Sequence, residues 1–291
     1  LPYNAPHAPH LVPDPYIDRY LKKGLPLPEA RIYGMVSNLD ENVGRLLQAI
    51  DPANTIVLFM TDNGGVSRYF KAGLRGNKGS VWEGGVRVPC IARWPGHFPA
   101  GAVVSSMAQH IDVLPTFCEL TGAPLPRDRP LDGRSLAPLL RAGSGASPHQ
   151  FLFHQWNRIR PEVSSGAVRD ARGFKLHAAD NSLYDLQADP GESRNLASQR
   201  PAIARRLRSE YDRWFADVTA GQDYARVPIE VGRADENPVE IDLTWGEPVG
   251  KRVLPTYRNY NRDIIDRWTE PGDSVRWRLD VVRPGRYEVT L

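Results

Sequence analysis

Cysteine is scarce in this chain: two in 291 residues, Cys90 in a segment that reads as a strand and Cys118 in one that reads as a helix. No Cys-x-x-Cys step or Cys/His spacing for zinc occurs, which excludes the thiolate-ligated metal domains. Two buried free thiols are expected, because unpaired cysteine packs as a small apolar residue. No apolar run approaches the ~18–20 residues of a membrane span. Charge of one sign is missing too. The 37 basic and 34 acidic residues nearly balance at +3, and the arginines are scattered, so a nucleic-acid partner with its clustered basic face is excluded. There is no tandem repeat and no initiator methionine. The chain opens at Leu1 in what reads as a strand-to-loop passage and stops in a strand-like run. Both ends read as cut, so a fragment is expected and a missing targeting segment carries no weight.

What is present suits a globular protein, with 41% apolar and 24% charged residues. Residues 1–16 form a Pro-rich loop with two histidines. Over 29–50, Ile32, Met35, Val36, Leu39, Val43, Leu46, Leu47 and Ile50 recur at helical spacing. A buried strand over 55–60 follows, and helix then buried strand predicts an α/β layer with a mostly parallel sheet sandwiched by helices. A Gly-rich loop runs over 64–87. A second strand is expected over 88–94, then a helix from an Asp112 N-cap to Leu120, stopped by Gly122. Short strands at 151–156 and 173–177, a turn at Asp189–Pro190–Gly191 and a helix over 201–216 predict a small α+β subdomain with an antiparallel sheet. Ile203, Leu207, Tyr211, Trp214 and Phe215 would back that helix. Alternation at 239–243, 274–279 and 286–291 predicts an all-β module, truncated at its end. The expected divisions are 1–125, 126–222 and 223–291.

The stretch TIVLFMTDNGG places Asp62 and Asn63 at the carboxyl end of the first strand, where open α/β sheets bind ligands. A carboxylate and an amide carbonyl are hard oxygen donors suited to Ca²⁺ or Mg²⁺. The pair can equally be an Asx turn with Asn63 left-handed before Gly64. Lys78, flanked by Gly76 and Gly79, is either an anion-holding ammonium or a solvated loop residue. Lys71, Arg68 and Arg75 read as solvent-facing. His7, between Pro6 and Pro9, has a stiffened backbone that would fix the direction of its imidazole.

TIVLFMTDNGG, LRGNKGSVWEGGVRVPCIARWPG, QHIDVLPTFCELTG and LYDLQADPGESRNLA, in that order, resemble the sulfatase family of the alkaline-phosphatase superfamily. The opening YNAPHAPHLVPDPYIDRY is similar to the family's loop with a His-x-Pro step, and the resemblance covers residues 1–217. It implies that residues 1–125 are the C-terminal half of an alkaline-phosphatase-like catalytic core. It further implies that Asp62 and Asn63 ligate a divalent cation, usually Ca²⁺, that Lys78 contacts the sulfate and the nucleophile, and that His7 binds the sulfate ester and protonates the leaving alcohol. The implied partner is a sulfated small molecule or carbohydrate, and family habit points to a periplasmic or secreted compartment.

The family's nucleophile is a formylglycine made within Cys/Ser-x-Pro-x-Arg, which neither Cys90 nor Cys118 fits. The family's early pair of aspartates and its second lysine and histidine are missing as well. The chain is therefore expected to be the C-terminal part of a sulfatase, inactive by itself. Two other readings stand beside this one. One is a phosphodiesterase or phosphonate hydrolase of the same superfamily. The other is a non-catalytic carbohydrate binder, in which Trp245, Trp268 and Trp277 form either a sugar platform or the core of a β-sandwich.

Overall fold

The protein is seen here in a computed structural model that describes residues 1–66, 70–157, 160–222, 224, 227–250, 254–255, 265–266 and 268–290. Two units, Leu1–Ala220 and Gly221–Leu291, separate along the chain. The first begins with α1 (Asp14–Leu21) and α2 (Leu27–Gln48), each opened by a proline in its first turn, where the missing N–H costs nothing. They pack closely at Gly34, where a Cβ would sit 3.2 Å from the Tyr16 backbone.

Strand β1 (Val57–Met60) leads through the Gly-rich loop to the short helix α3 (Glu83–Val86), and β2 (Cys90–Arg93) follows. The two strands pair antiparallel, from Val57 opposite Arg93 to Met60 opposite Cys90. This corrects the expected mostly parallel layer. Among the described residues no parallel pair occurs in this unit, because an apolar run fits either ladder and the chain between β1 and β2 doubles back. All four β1 residues are only half-buried, where full burial was expected. Cys90 is exposed rather than buried, because β2 shows three of its four side chains to solvent; Cys118 is buried, and both thiols are free.

Asp112 closes a single 3₁₀ turn (His110–Asp112), after which α4 (Val113–Thr121) begins. Its side chain does not cap α4, as expected from sequence, but reaches back to the Gln109 N–H at 2.8 Å. Its other oxygen accepts from His149 Nε2–H at 2.6 Å and Arg134 N–H at 2.9 Å, so this fully buried carboxylate is satisfied. Gly122 stops the helix in the left-handed conformation, φ +74°. Helix α5 (Ala137–Ala142) precedes the second sheet.

That sheet is an antiparallel meander of β3 (Phe151–Gln155), β4 (Gly166–Asp170), β5 (Phe174–His177) and β6 (Leu183–Asp185). Helix α6 (Pro201–Thr219) lies on it. Leu207 and Tyr211 pack into Val168, Leu176 and Leu183, with Ile203, Trp214 and Phe215 around them. The Trp214 ring stacks on Phe153, with centroids 4.7 Å apart. Tyr211 Oη–H donates to Gln155 Oε1 at 2.7 Å, and burial pushes its phenol up to about 12.

In the second unit β7 (Ile229–Val231) pairs parallel with β12 (Leu279–Val281), and β8 (Glu247–Val249) antiparallel with β11 (Ser274–Arg276). β9 (Leu254–Pro255) pairs with β10 (Ile265–Asp266). Residues 239–243 and 286–290 form no strand, and Leu291 lies outside the described residues. Trp245 and Trp268 are 55% and 48% exposed, so neither serves as a buried core residue.

Candidate functional site

Beyond Met60 the chain leaves the sheet, and His110 Nε2–H donates to the Thr61 carbonyl at 2.8 Å, tying the strand exit to the turn before α4. Asp62 is exposed, and its Oδ1 accepts the Asn63 N–H at 2.9 Å. Asn63 Oδ1 is buried and has no hydrogen-bond partner. An unsatisfied buried carbonyl costs about 1–3 kcal/mol, and a hard cation is a ligand that such an oxygen fits. The Asx-turn alternative required Asn63 to be left-handed. Among the described residues only Ala72, Asn181 and Glu192 have positive φ outside glycine, so that alternative fails.

Gly64 is needed for proximity rather than for an unusual φ. A Cβ there would lie 2.0 Å from the Gly84 carbonyl oxygen, and the Gly64 N–H donates to Gly85 O at 2.8 Å. A Cβ at Gly65 would meet nothing within 4 Å, and the Gly65 carbonyl accepts the Lys78 N–H at 2.8 Å. Lys78 itself is exposed, between Gly76 and Gly79 at φ +78° and +83°, conformations that favour glycine. Backbone contacts thus bring Asp62, Asn63 and Lys78 together. His7 is not among the groups in those hydrogen bonds. It is half-buried in its own loop, with its N–H on Asn4 O and Nδ1–H on Ala8 O, both at 2.8 Å, which places the proton of a neutral ring on Nδ1.

Sequence reasoning missed a buried charged cluster behind the Gly-rich loop. Lys175 Nζ lies 2.9 Å from Glu83 Oε1 and 3.1 Å from Glu192 Oε1. His177 Nε2–H donates to Glu192 Oε1 at 2.8 Å, and Glu192 Oε2 accepts the Glu83 N–H at 2.6 Å. Burial holds His177 below its ordinary value, against the opposing Glu192 hydrogen bond. Burial works to raise the Glu192 carboxyl, but the His177 hydrogen bond and the Lys175 ammonium outweigh it and hold it low. Nearby, burial, reinforced by Lys175, pushes His154 down to about 3. Arg75 is exposed, in line with its solvent-facing reading, yet its guanidinium lies 3.8 Å from the Trp82 ring centre and Nη1–H donates to Glu192 O at 2.9 Å. Lys71 Nζ donates to Gly76 O at 2.7 Å, while Arg68 lies outside the described residues. No local signal could have found the cluster, since Glu83 lies 92 residues from Lys175 and 109 from Glu192.

Among the described residues no group of three or more His, Cys, Asp or Glu side chains could hold a metal ion. Nor is any helix long and apolar enough to cross a membrane.

Two family models match the chain: Sulfatase over residues 1–123, and N-sulphoglucosamine sulphohydrolase, C-terminal, over residues 76–214. Among solved structures, Ps i-CgsB in complex with k-i-k-neocarrahexaose superposes with a TM-score of 0.64 at 28% identity, over 73% of this chain and 48% of that one. The fold is alkaline-phosphatase-like. Mouse (Mus musculus) steryl-sulfatase is 44% identical over 56% of this chain and 33% of its own length. Human (Homo sapiens) arylsulfatase A is 35% identical over 70% of this chain and 46% of its own. The chain belongs to the sulfatase family. It spans less than half of the length of these two curated relatives.

Proposed function

We propose that this chain is the C-terminal part of a sulfuric ester hydrolase of the arylsulfatase kind. In its full length that enzyme depends on a formylglycine nucleophile outside this chain and on a divalent cation, Ca²⁺ foremost with Mg²⁺ as the alternative. The observation that carries the reading is the buried, unpartnered Asn63 Oδ1 beside Asp62, with Lys78 anchored on Gly65. A cation held there would supply positive charge opposite the sulfate oxygens. Lys78 would hold a sulfate oxygen as a point charge with three donors. His7, when its second ring nitrogen is protonated, would hand that proton to the leaving alcohol oxygen.

Uncovered apolar side chains support the fragment reading. Ile91 on β2 is 61% exposed, and Val36 and Leu46 on α2 are 43% and 38% exposed. The rest of a complete α/β core would cover such a surface. Residues 1–125 then belong to the catalytic core, 126–222 to the α+β subdomain and 223–291 to an appended β-module. The substrate is a sulfated small molecule or carbohydrate, in line with steryl-sulfatase and arylsulfatase A as relatives and an oligosaccharide bound to the structural neighbour.

Turnover of p-nitrophenyl sulfate and p-nitrophenyl phosphate tests the reading. The full-length protein is expected to favour the sulfate, and this chain alone to turn over neither. Preference for the phosphate would favour the phosphodiesterase alternative. Sulfate turnover by the isolated chain would overturn the fragment reading.

A further inference from the structure

The charged cluster behind the Gly-rich loop is costly to keep. Glu83, Lys175, His177 and Glu192 are each 3% exposed or less. Removing such charges from water costs several kcal/mol per ion, and apolar packing of the same volume is often as stable. Stability alone is thus a weak account of the cluster. Two features point to registry instead. Glu192 adopts φ +53°, a left-handed conformation unfavourable for a residue with a Cβ, although Gly191 stands beside it. The cluster also grips backbone. Glu192 Oε2 takes the Glu83 N–H and Arg75 reaches the Glu192 carbonyl; beside them, side chain on side chain, the His177 ring stacks on the Trp82 ring at 3.7 Å.

Glu83 is followed at once by Gly84 and Gly85, the two residues against which Gly64 is packed. A path of direct contacts therefore runs from Glu192 to Glu83, through Gly84 and Gly85 to Gly64, and so to Asn63. Each link is a hydrogen bond, a covalent neighbour or a backbone approach too close for a Cβ.

We propose that Glu83 and Glu192 are positioning residues that set the Asn63 amide oxygen for a divalent cation, and that the buried cluster serves this registry. The inference rests on the reading of Asp62 and Asn63 as cation ligands. Without the cluster, α3 would lose its fixed seat on β5, and the Asn63 oxygen its fixed direction.

Calorimetric titration of the full-length protein with CaCl₂ tests it, using Glu192→Gln and Asp170→Asn. Asp170 is a comparably buried carboxylate, 2% exposed, that binds Arg172 and Arg206 but touches no link in the path to Gly64. Glu192→Gln is expected to weaken Ca²⁺ binding at least tenfold. Asp170→Asn is expected to lower the melting temperature while leaving affinity within twofold. Should Glu192→Gln fail to fold, Glu83→Gln, which keeps the His177–Glu192 pair, is expected to show the same loss. Wild-type affinity in a folded glutamine variant overturns the inference. If that result comes with loss of binding in Asn63→Ala, the cation reading stands and only the positioning role fails. A wild-type protein that binds no Ca²⁺ overturns both.

Discussion

Glu192 accepts the backbone N–H of Glu83 at 2.6 Å, joining two residues 109 positions apart in the chain. This contact fastens the start of α3, at the end of the Gly-rich loop, to the turn that follows β6. The same loop presents Lys78 and carries the glycines against which the Asp62–Asn63 turn is packed. The candidate site is thus built on rigid backbone contact, with its chemistry on side chains that the turns present.

The close approach at Gly64 gives a paired test. A Cβ at Gly64 meets the Gly84 carbonyl at 2.0 Å, whereas a Cβ at Gly65 meets nothing within 4 Å. Gly64→Ala is expected to destabilise the protein by about 1–3 kcal/mol or more, as overpacking against backbone does. Gly65→Ala is expected to be neutral or stabilising by about 0.4–1 kcal/mol through the unfolded state. Urea denaturation of both variants measures the difference, and equal effects would contradict the packing described.

Stability should fall as pH is lowered from 7 towards 5. His154 and His177 are both held below the ordinary imidazole value, His154 down to about 3. The unfolded chain therefore binds more protons than the folded one between about pH 3 and the ordinary value of about 6.5. The contribution of the two histidines is present above that ordinary value and is lost as pH falls through the window. Glu192, held low, loses its contribution only at more acid pH, as the medium approaches its depressed folded value. Urea midpoints measured at pH 7, 6 and 5 should decline, and His154→Gln should flatten the decline. A midpoint independent of pH in this range would contradict two histidines held neutral in the folded protein.

The core beneath α6 predicts a large cavity penalty. Leu207 is fully buried among Val168, Leu176 and Leu183, so Leu207→Ala should cost about 2–5 kcal/mol. Tyr211→Phe, which removes only the donor to Gln155, should cost about 1 kcal/mol. Equal costs for the two, read from chemical denaturation, would mean that α6 does not pack as described.

Local pattern made much of this legible. Helical periodicity placed α2 and α6 to within three residues at each end, and Gly122 marked the end of α4. The TDNGG and GNKG steps marked Asp62, Asn63 and Lys78, because an acid, an amide or an ammonium framed by glycine is unusual after a strand. The direction of β2 was not legible, since Val57–Met60 is equally apolar in a parallel or an antiparallel ladder. Nor was the buried cluster. Lys175 and Glu83 lie 92 residues apart, and no local pattern announces a pair that only tertiary folding creates. Lys71 reads as solvated because long basic side chains in a polar loop usually are, while here the Gly76 carbonyl receives it and it is half-buried. Arg75 is exposed as its sequence suggests, but nothing local announced its contacts with the Trp82 ring and the Glu192 carbonyl.

The most direct test of the account is p-nitrophenyl sulfate turnover by the full-length protein compared with its Asn63→Ala and Lys78→Ala variants. The account predicts that each variant stays folded and loses at least about 10²-fold in kcat/KM, the scale on which removing one preorganised electrostatic group acts. Turnover within a few-fold of wild type in both variants would contradict it.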